Sequence, residues 1–115
     1  MRVTTEIFVS ALIRRVFGQG GFAAVIRRGA AEAGAVFIVT RDRMGEAALY
    51  GPAPQSAYGG ETGGGRQFMP VGSNLDERSL EERLAREQRF DSDIWVIELE
   101  PGTTPVGELV EITRP

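Results

Sequence analysis

The sequence predicts an α+β fold: two helices packed on one face of a mostly antiparallel mixed sheet of four to five strands. Three observations carry this expectation. Apolar residues recur at helical spacing between residues 5 and 17. Residues 35–41 and 94–100 are rich in β-branched and aromatic side chains. A helix-start signature at residue 79 opens a mostly polar helical stretch. A three-layer arrangement, with a helix on each face of the sheet, is the alternative.

The elements follow in order. Thr4 or Thr5 can cap a helix running to about Phe17, with Phe8, Leu12 and Val16 on one stripe widened by Ile7 and Ala11. Arg14 and Arg15 sit where the helix dipole favours cations, and Gly18, Gly20 and Gly21 stop the helix. Phe22 to Arg28 reads as a strand, Ala35 to Arg41 as a second, and Glu46 to Tyr50 as a third. The three are expected to form an antiparallel meander. Arg66 to Val71 is a short edge strand closed by Pro70.

Ser79 and Glu82 form a capping box for the second helix, with Glu82–Arg86 as an i,i+4 pair. Its apolar stripe is narrow: Leu80, Leu84 and Ala85, then Phe90 near the end. Ile94 to Glu100 is apolar on both faces near its start, which marks an inner strand. Trp95, followed by Val96 and Ile97, is expected in the core rather than as a ligand platform.

The chain has 115 residues, which fits one domain over residues 1–115. A flexible glycine-rich loop is expected at 52–65 and a weakly structured tail at 101–115. No stretch approaches the roughly 20 apolar residues of a membrane span, so no membrane partner is expected. Arg14 and Arg15 interrupt the N-terminal apolar run and no cleavage site follows, so a cytoplasmic protein is expected.

Composition excludes much chemistry. There is no cysteine and no histidine, and all 13 basic side chains are arginine. Thiolate and histidine metal sites, cysteine and histidine catalysis, and lysine Schiff bases are therefore impossible within this sequence. Guanidinium does not give up its proton, so arginine replaces neither histidine nor lysine. The first 50 residues carry seven arginines against four acids, and the remainder six against twelve. Such halves pair with each other inside one domain or mark a partner surface. The net charge of -3 and the absence of a basic, aromatic-studded module argue against nucleic acid.

Two glycine motifs fail on inspection. Gly18 to Ala23 matches G-x-G-x-x-A, but a helix precedes it and a strand follows, the reverse of a dinucleotide site. Gly60 to Gln67 has phosphate-loop spacing but lacks the lysine and the magnesium-binding hydroxyl. Asp91-Ser92-Asp93 can place two carboxylates together, yet aspartates at a helix-to-strand junction also build turns. Arg27 and Arg28 can bind an anion or pair with the acidic second helix.

Five segments then read together: Ile7 to Arg15, Gly20 to Gly29, Ala33 to Phe37, Leu49 to Gln55, and Arg89 to Val96. In that order they resemble an uncharacterised family of short alphaproteobacterial proteins, domain of unknown function 1491. The resemblance spans almost the whole chain and implies a stand-alone cytoplasmic bacterial protein. It implies no activity.

The leading expectation is a non-catalytic binding or protein-interaction module, a homodimer joined through sheet edges or opposite-charge surfaces, or a binder of an unidentified protein. The alternative is a carboxylate-based enzyme or small-anion-binding protein. Its candidate ligand residues are Arg27, Arg28, Tyr50, Gln55, Arg66, Asp91 and Asp93. No cofactor and no metal site are expected.

Overall fold

The computed structural model describes residues 3–54, 66–100, 102 and 104–113. Thr4 opens the first helix. Its backbone is extended and its hydroxyl oxygen accepts the Ile7 N–H at 3.3 Å, capping α1, Thr5–Gly18. Gly20, at φ +81°, takes the left-handed turn that leads out of it. The buried stripe of α1 is Thr5, Val9, Leu12 and Val16. Ile7, expected to widen the stripe, is 59% exposed. Leu12 and Val16 belong to two overlapping helical stripes, and the sheet selects the one containing Val9.

The strands are β1, Phe22–Arg27; β2, Val36–Arg41; β3, Ala47–Pro52; β4, Gln67–Leu75; β5, Trp95–Glu100; and β6, Glu111–Ile112. Their order in one six-stranded mixed sheet is β1-β5-β2-β3-β4-β6. The expected meander of the first three strands does not form. β5 lies between β1 and β2, antiparallel to the first and parallel to the second. The meander is instead β2, β3 and β4. β4 is longer than the expected edge strand and is covered in part by β6, which runs parallel to it.

The second helix, α2, is Glu77–Phe90. Its cap is Asp76 rather than Ser79: the Asp76 carboxylate accepts the Ser79 N–H at 2.8 Å. The capping box therefore lies one turn too late in the sequence reading. The surface pairs are Arg78–Glu82 and Arg83–Glu87, both i,i+4, in place of Glu82–Arg86.

Alternation along the two inner strands builds two cores. Val36, Ile38, Trp95, Ile97 and Leu99 point to α1 and pack with Val9, Leu12 and Val16. Phe37, Val39, Ile94 and Val96 point the other way and pack with Leu80 of α2. The helices thus lie on opposite faces, and the three-layer alternative replaces the expected single helical face. The reason is pairing: an inner strand apolar on both sides needs cover on both. Ile38, Leu49, Ile97 and Leu99 have 0% exposure. Burying such a side chain contributes roughly 1.5–3 kcal/mol.

Within the segment read as a weakly structured tail, α3, Val106–Leu109, and β6 pack on the α1 side. Leu109 and Val110 are buried there. Arg15 on α1 donates to the Leu109 carbonyl at 2.6 Å. Of the glycine-rich loop expected at 52–65, Pro52 belongs to β3 and the Ala53 N–H donates to the Gln67 carbonyl at 2.9 Å, while residues 55–65, Gln55 included, lie outside the described residues.

Candidate functional site

The turn of residues 28–34 positions most of the expected site residues. Gly29 meets the 93–94 backbone so closely that a Cβ there would lie 2.1 Å from the Asp93 carbonyl oxygen. The Ala30 N–H donates to that same oxygen at 3.0 Å. The buried Trp95 returns the link, donating its indole N–H to the Ala30 carbonyl at 2.7 Å. The turn also covers the start of α1: Thr5 and Glu6 donate their N–H groups to Glu32 and Ala31 carbonyls. With those donors taken, the α1 N-terminus offers no anion seat.

Arg28 pairs with Glu6 on α1, and its guanidinium lies 4.9 Å from the centre of the Trp95 ring. Its acid is thus on the first helix, whereas the sequence suggested the second. Arg27 donates to the Ser92 carbonyl at 2.6 Å, while its Nε is buried without a hydrogen-bond partner among the described residues. The Asp91 carboxylate accepts the Asp93 N–H at 2.9 Å, closing an Asx turn. Both aspartates are exposed. Among the described residues no group of three or more acids that could hold a metal ion occurs.

Arg66 belongs to a different cluster. It donates to the Thr5 hydroxyl at 2.7 Å and lies 5.4 Å from the Phe8 ring centre. It borders a cavity of about 220 Å³ lined also by Ala33, Ala35, Pro52, Ala53 and Phe68. Tyr50 is half-buried in β3 opposite Ile38 and Pro70, packing against the α1-side core. Neither aspartate lines this cavity. Arg27, Arg28, Asp91 and Asp93 are thus gathered at one corner, and Arg66 at another across the α1 N-terminus.

The charge asymmetry is partly spent inside the molecule. Arg41 on β2 pairs with Glu77 of α2 at 3.0 Å and with Glu98 of β5 at 3.3 Å. These contacts, led by the Glu77 hydrogen bond, raise the Arg41 pKa above its ordinary value.

The surface that sequence reasoning missed is the outer edge of β1. Among the described residues this strand pairs only with β5. Phe22, Val25 and Ile26 on it are 49%, 42% and 58% exposed. Phe17 at the end of α1 is also exposed and meets Phe22 edge-on at 5.7 Å between ring centres. The apolar run was visible in the sequence, but its place at the rim depends on β5, some 70 residues away.

A family model described as "Protein of unknown function (DUF1491)" matches residues 3–104. The chain belongs to the DUF1491 family. The match covers every element from α1 to β5 and stops before α3 and β6. A solution structure of a protein from A. tumefaciens is 46% identical, with a TM-score of 0.83, covering 100% of this chain and 98% of that one. A crystal structure of a DUF1491 family protein from Caulobacter crescentus is 39% identical, with a TM-score of 0.69 and 87% of each chain covered. An NMR structure of a DUF1491 family protein from the same organism is 34% identical, with a TM-score of 0.74, covering 100% of this chain and 98% of that one. No curated protein matches the chain. No helix among the described residues is long and apolar enough to cross a membrane.

Proposed function

We propose that this DUF1491 chain is a non-catalytic interaction module that docks through the outer edge of β1. One observation carries the reading: an edge strand that presents Phe22, Val25 and Ile26 to solvent, extended by Phe17. Edge strands in monomeric proteins are normally blunted by charge, proline or cover. Here the middle of β1 holds no charged residue and no proline; its one arginine, Arg27, comes at the end, and Arg28 follows it. Every second residue of an edge strand turns its N–H and C=O away from the sheet, so a partner strand can bond there. The Asp91–Asp93 carboxylates support catalysis less well, since Asp91 is engaged in its own turn. A cytoplasmic setting accords with the lack of cysteine.

The test compares two immobilised baits in extract of the native cell: the wild-type chain and Ile26→Lys. Ile26 is 58% exposed, so the substitution leaves the cores intact. The wild-type bait is expected to retain material that the variant does not. Equal retention by both baits would overturn the docking role of β1.

A further inference from the structure

We infer that the occupant of the β1 edge is β1 of a second copy, paired antiparallel about a two-fold axis at Ala24. The inference rests on the β1 docking reading above and names its partner.

The register follows from geometry. In an antiparallel pair, directly opposed residues both point their hydrogen-bonding groups at each other or both point them away. A two-fold axis on a residue satisfies this, while an axis between two neighbouring residues does not. An axis at Ala24 sets Ala23 opposite Val25 and Phe22 opposite Ile26. Each large side chain then faces a small one or completes an aromatic–β-branched pair, a favourable cross-strand combination. The irregularity between Val25 and Arg27 in the β1–β5 ladder involves Ile26, so it falls on the outermost Phe22–Ile26 pairs and leaves the central Ala23–Val25 and Ala24–Ala24 pairs on the regular part of the strand.

Charge selects the same arrangement. β1 ends in Arg27, with Arg28 directly after it, and its first residue, Phe22, lies beside Glu100 of β5. Parallel pairing would set arginine against arginine. Antiparallel pairing separates the arginines to opposite ends and brings Arg27 of one copy to the Glu100 end of the other. Arg27 and Glu100 share one sheet face, since Arg27 pairs with Val96, four residues before Glu100. Two strand spacings separate them, about 10 Å between backbones, so Arg27 reaches that glutamate only by exchanging the Ser92 carbonyl of its own copy for the carboxylate of the other. Glu100 is exposed and has no ion pair among the described residues. The Phe17–Phe22 pair of each copy lies at the same end, next to the incoming Ile26. A two-fold interface of this kind is self-complementary, as an isologous dimer requires.

The absence of cysteine makes the test clean. In Ala24→Cys the only two thiols of the dimer meet on the axis, at an antiparallel Cα separation of about 4.5–5.5 Å, which suits a disulfide. Under mild oxidation this variant is expected to give a covalent dimer at low micromolar concentration, at least tenfold faster than Met44→Cys. Met44 is 84% exposed and lies in the β2–β3 turn. In parallel, light scattering of the reduced wild-type chain is expected to read twice the 12.5 kDa chain mass at high concentration. Ile26→Lys is expected to remain at the single mass. A wild-type chain that stays monomeric throughout, or equal cross-linking of the two cysteine variants, overturns the two-fold pairing. Those results concern purified protein only. The two-bait comparison in extract decides separately whether the edge docks anything at all.

Discussion

Thr5→Val tests whether the first turn of α1 is anchored by a hydroxyl or by packing. Thr5 has 0% exposure. Its hydroxyl donates to the Gly34 carbonyl at 2.8 Å and accepts from Arg66 at 2.7 Å. Valine keeps the shape and removes the hydroxyl, so the buried Gly34 carbonyl loses this donor and Arg66 loses an acceptor. A hydrogen bond contributes about 0.5–1.5 kcal/mol net, and a buried group left unsatisfied costs about 1–3 kcal/mol. The expected loss is therefore roughly 2–3 kcal/mol. At ~2.1 cal/mol/K per residue, a chain of this length unfolds with an entropy near ~240 cal/mol/K. Such a loss lowers Tm by ~8–12 °C. Thr5→Ser is the control: it keeps both bonds and removes one methyl group, about 1 kcal/mol and ~4 °C. The assay is thermal unfolding followed by circular dichroism. A valine variant that melts at or above the serine variant would refute the hydroxyl as the anchor.

Two further outcomes follow from the caps and the close approach. Hydrogen bonds from the Ser79 backbone N–H, and secondarily from its hydroxyl, hold the Asp76 carboxyl below the ordinary aspartate range. A depressed folded-state pKa gives stability that is present above the unfolded pKa and lost as pH falls through the folded one. The wild-type chain is thus expected to melt a few degrees above Asp76→Asn at neutral pH, with the gap closing below about pH 4. A gap independent of pH would show that the charge has no part. Gly29→Ala forces a Cβ against the Asp93 and Ile94 carbonyls. Its expected signature is loss of the cooperative melting transition or a large drop in its midpoint, and a variant as stable as the wild type would refute the close packing of that turn.

What could be read in the sequence was local. The ends of α1, the strand from Val36 and the inner character of β5 all follow from patterns within a dozen residues. The apolar neighbours of Trp95 mark it as a core residue, and it is 1% exposed. What could not be read was which strand lies beside which. Phe22 to Arg27 and Val36 to Arg41 are close in sequence, and only β5 entering between them makes β1 a rim strand. The same long-range step separates the helices onto two faces. The cap of α2 was displaced because Asp76 and Ser79 both suit a helix start, and Asp76 begins one that runs straight through Ser79. At the candidate site, the arginines were legible as residues but their partners were not: Glu6, the Ser92 carbonyl and Thr5 come from distant segments.

The insertion of β5 between β1 and β2 also bears on how the molecule acquires its shape. A growing chain presents β1 and β2 early, each with an apolar strand edge that has no neighbour until residues 95–100 exist. Loop closure over so long a span is slow, since its entropy must be overcome before the β1–β5 and β2–β5 ladders form. During that interval the open rims of β1 and β2 are the segments most prone to mispair with other nascent chains. The late arrival of one central strand thus sets the length of time for which the inner edges of β1 and β2 stay uncovered.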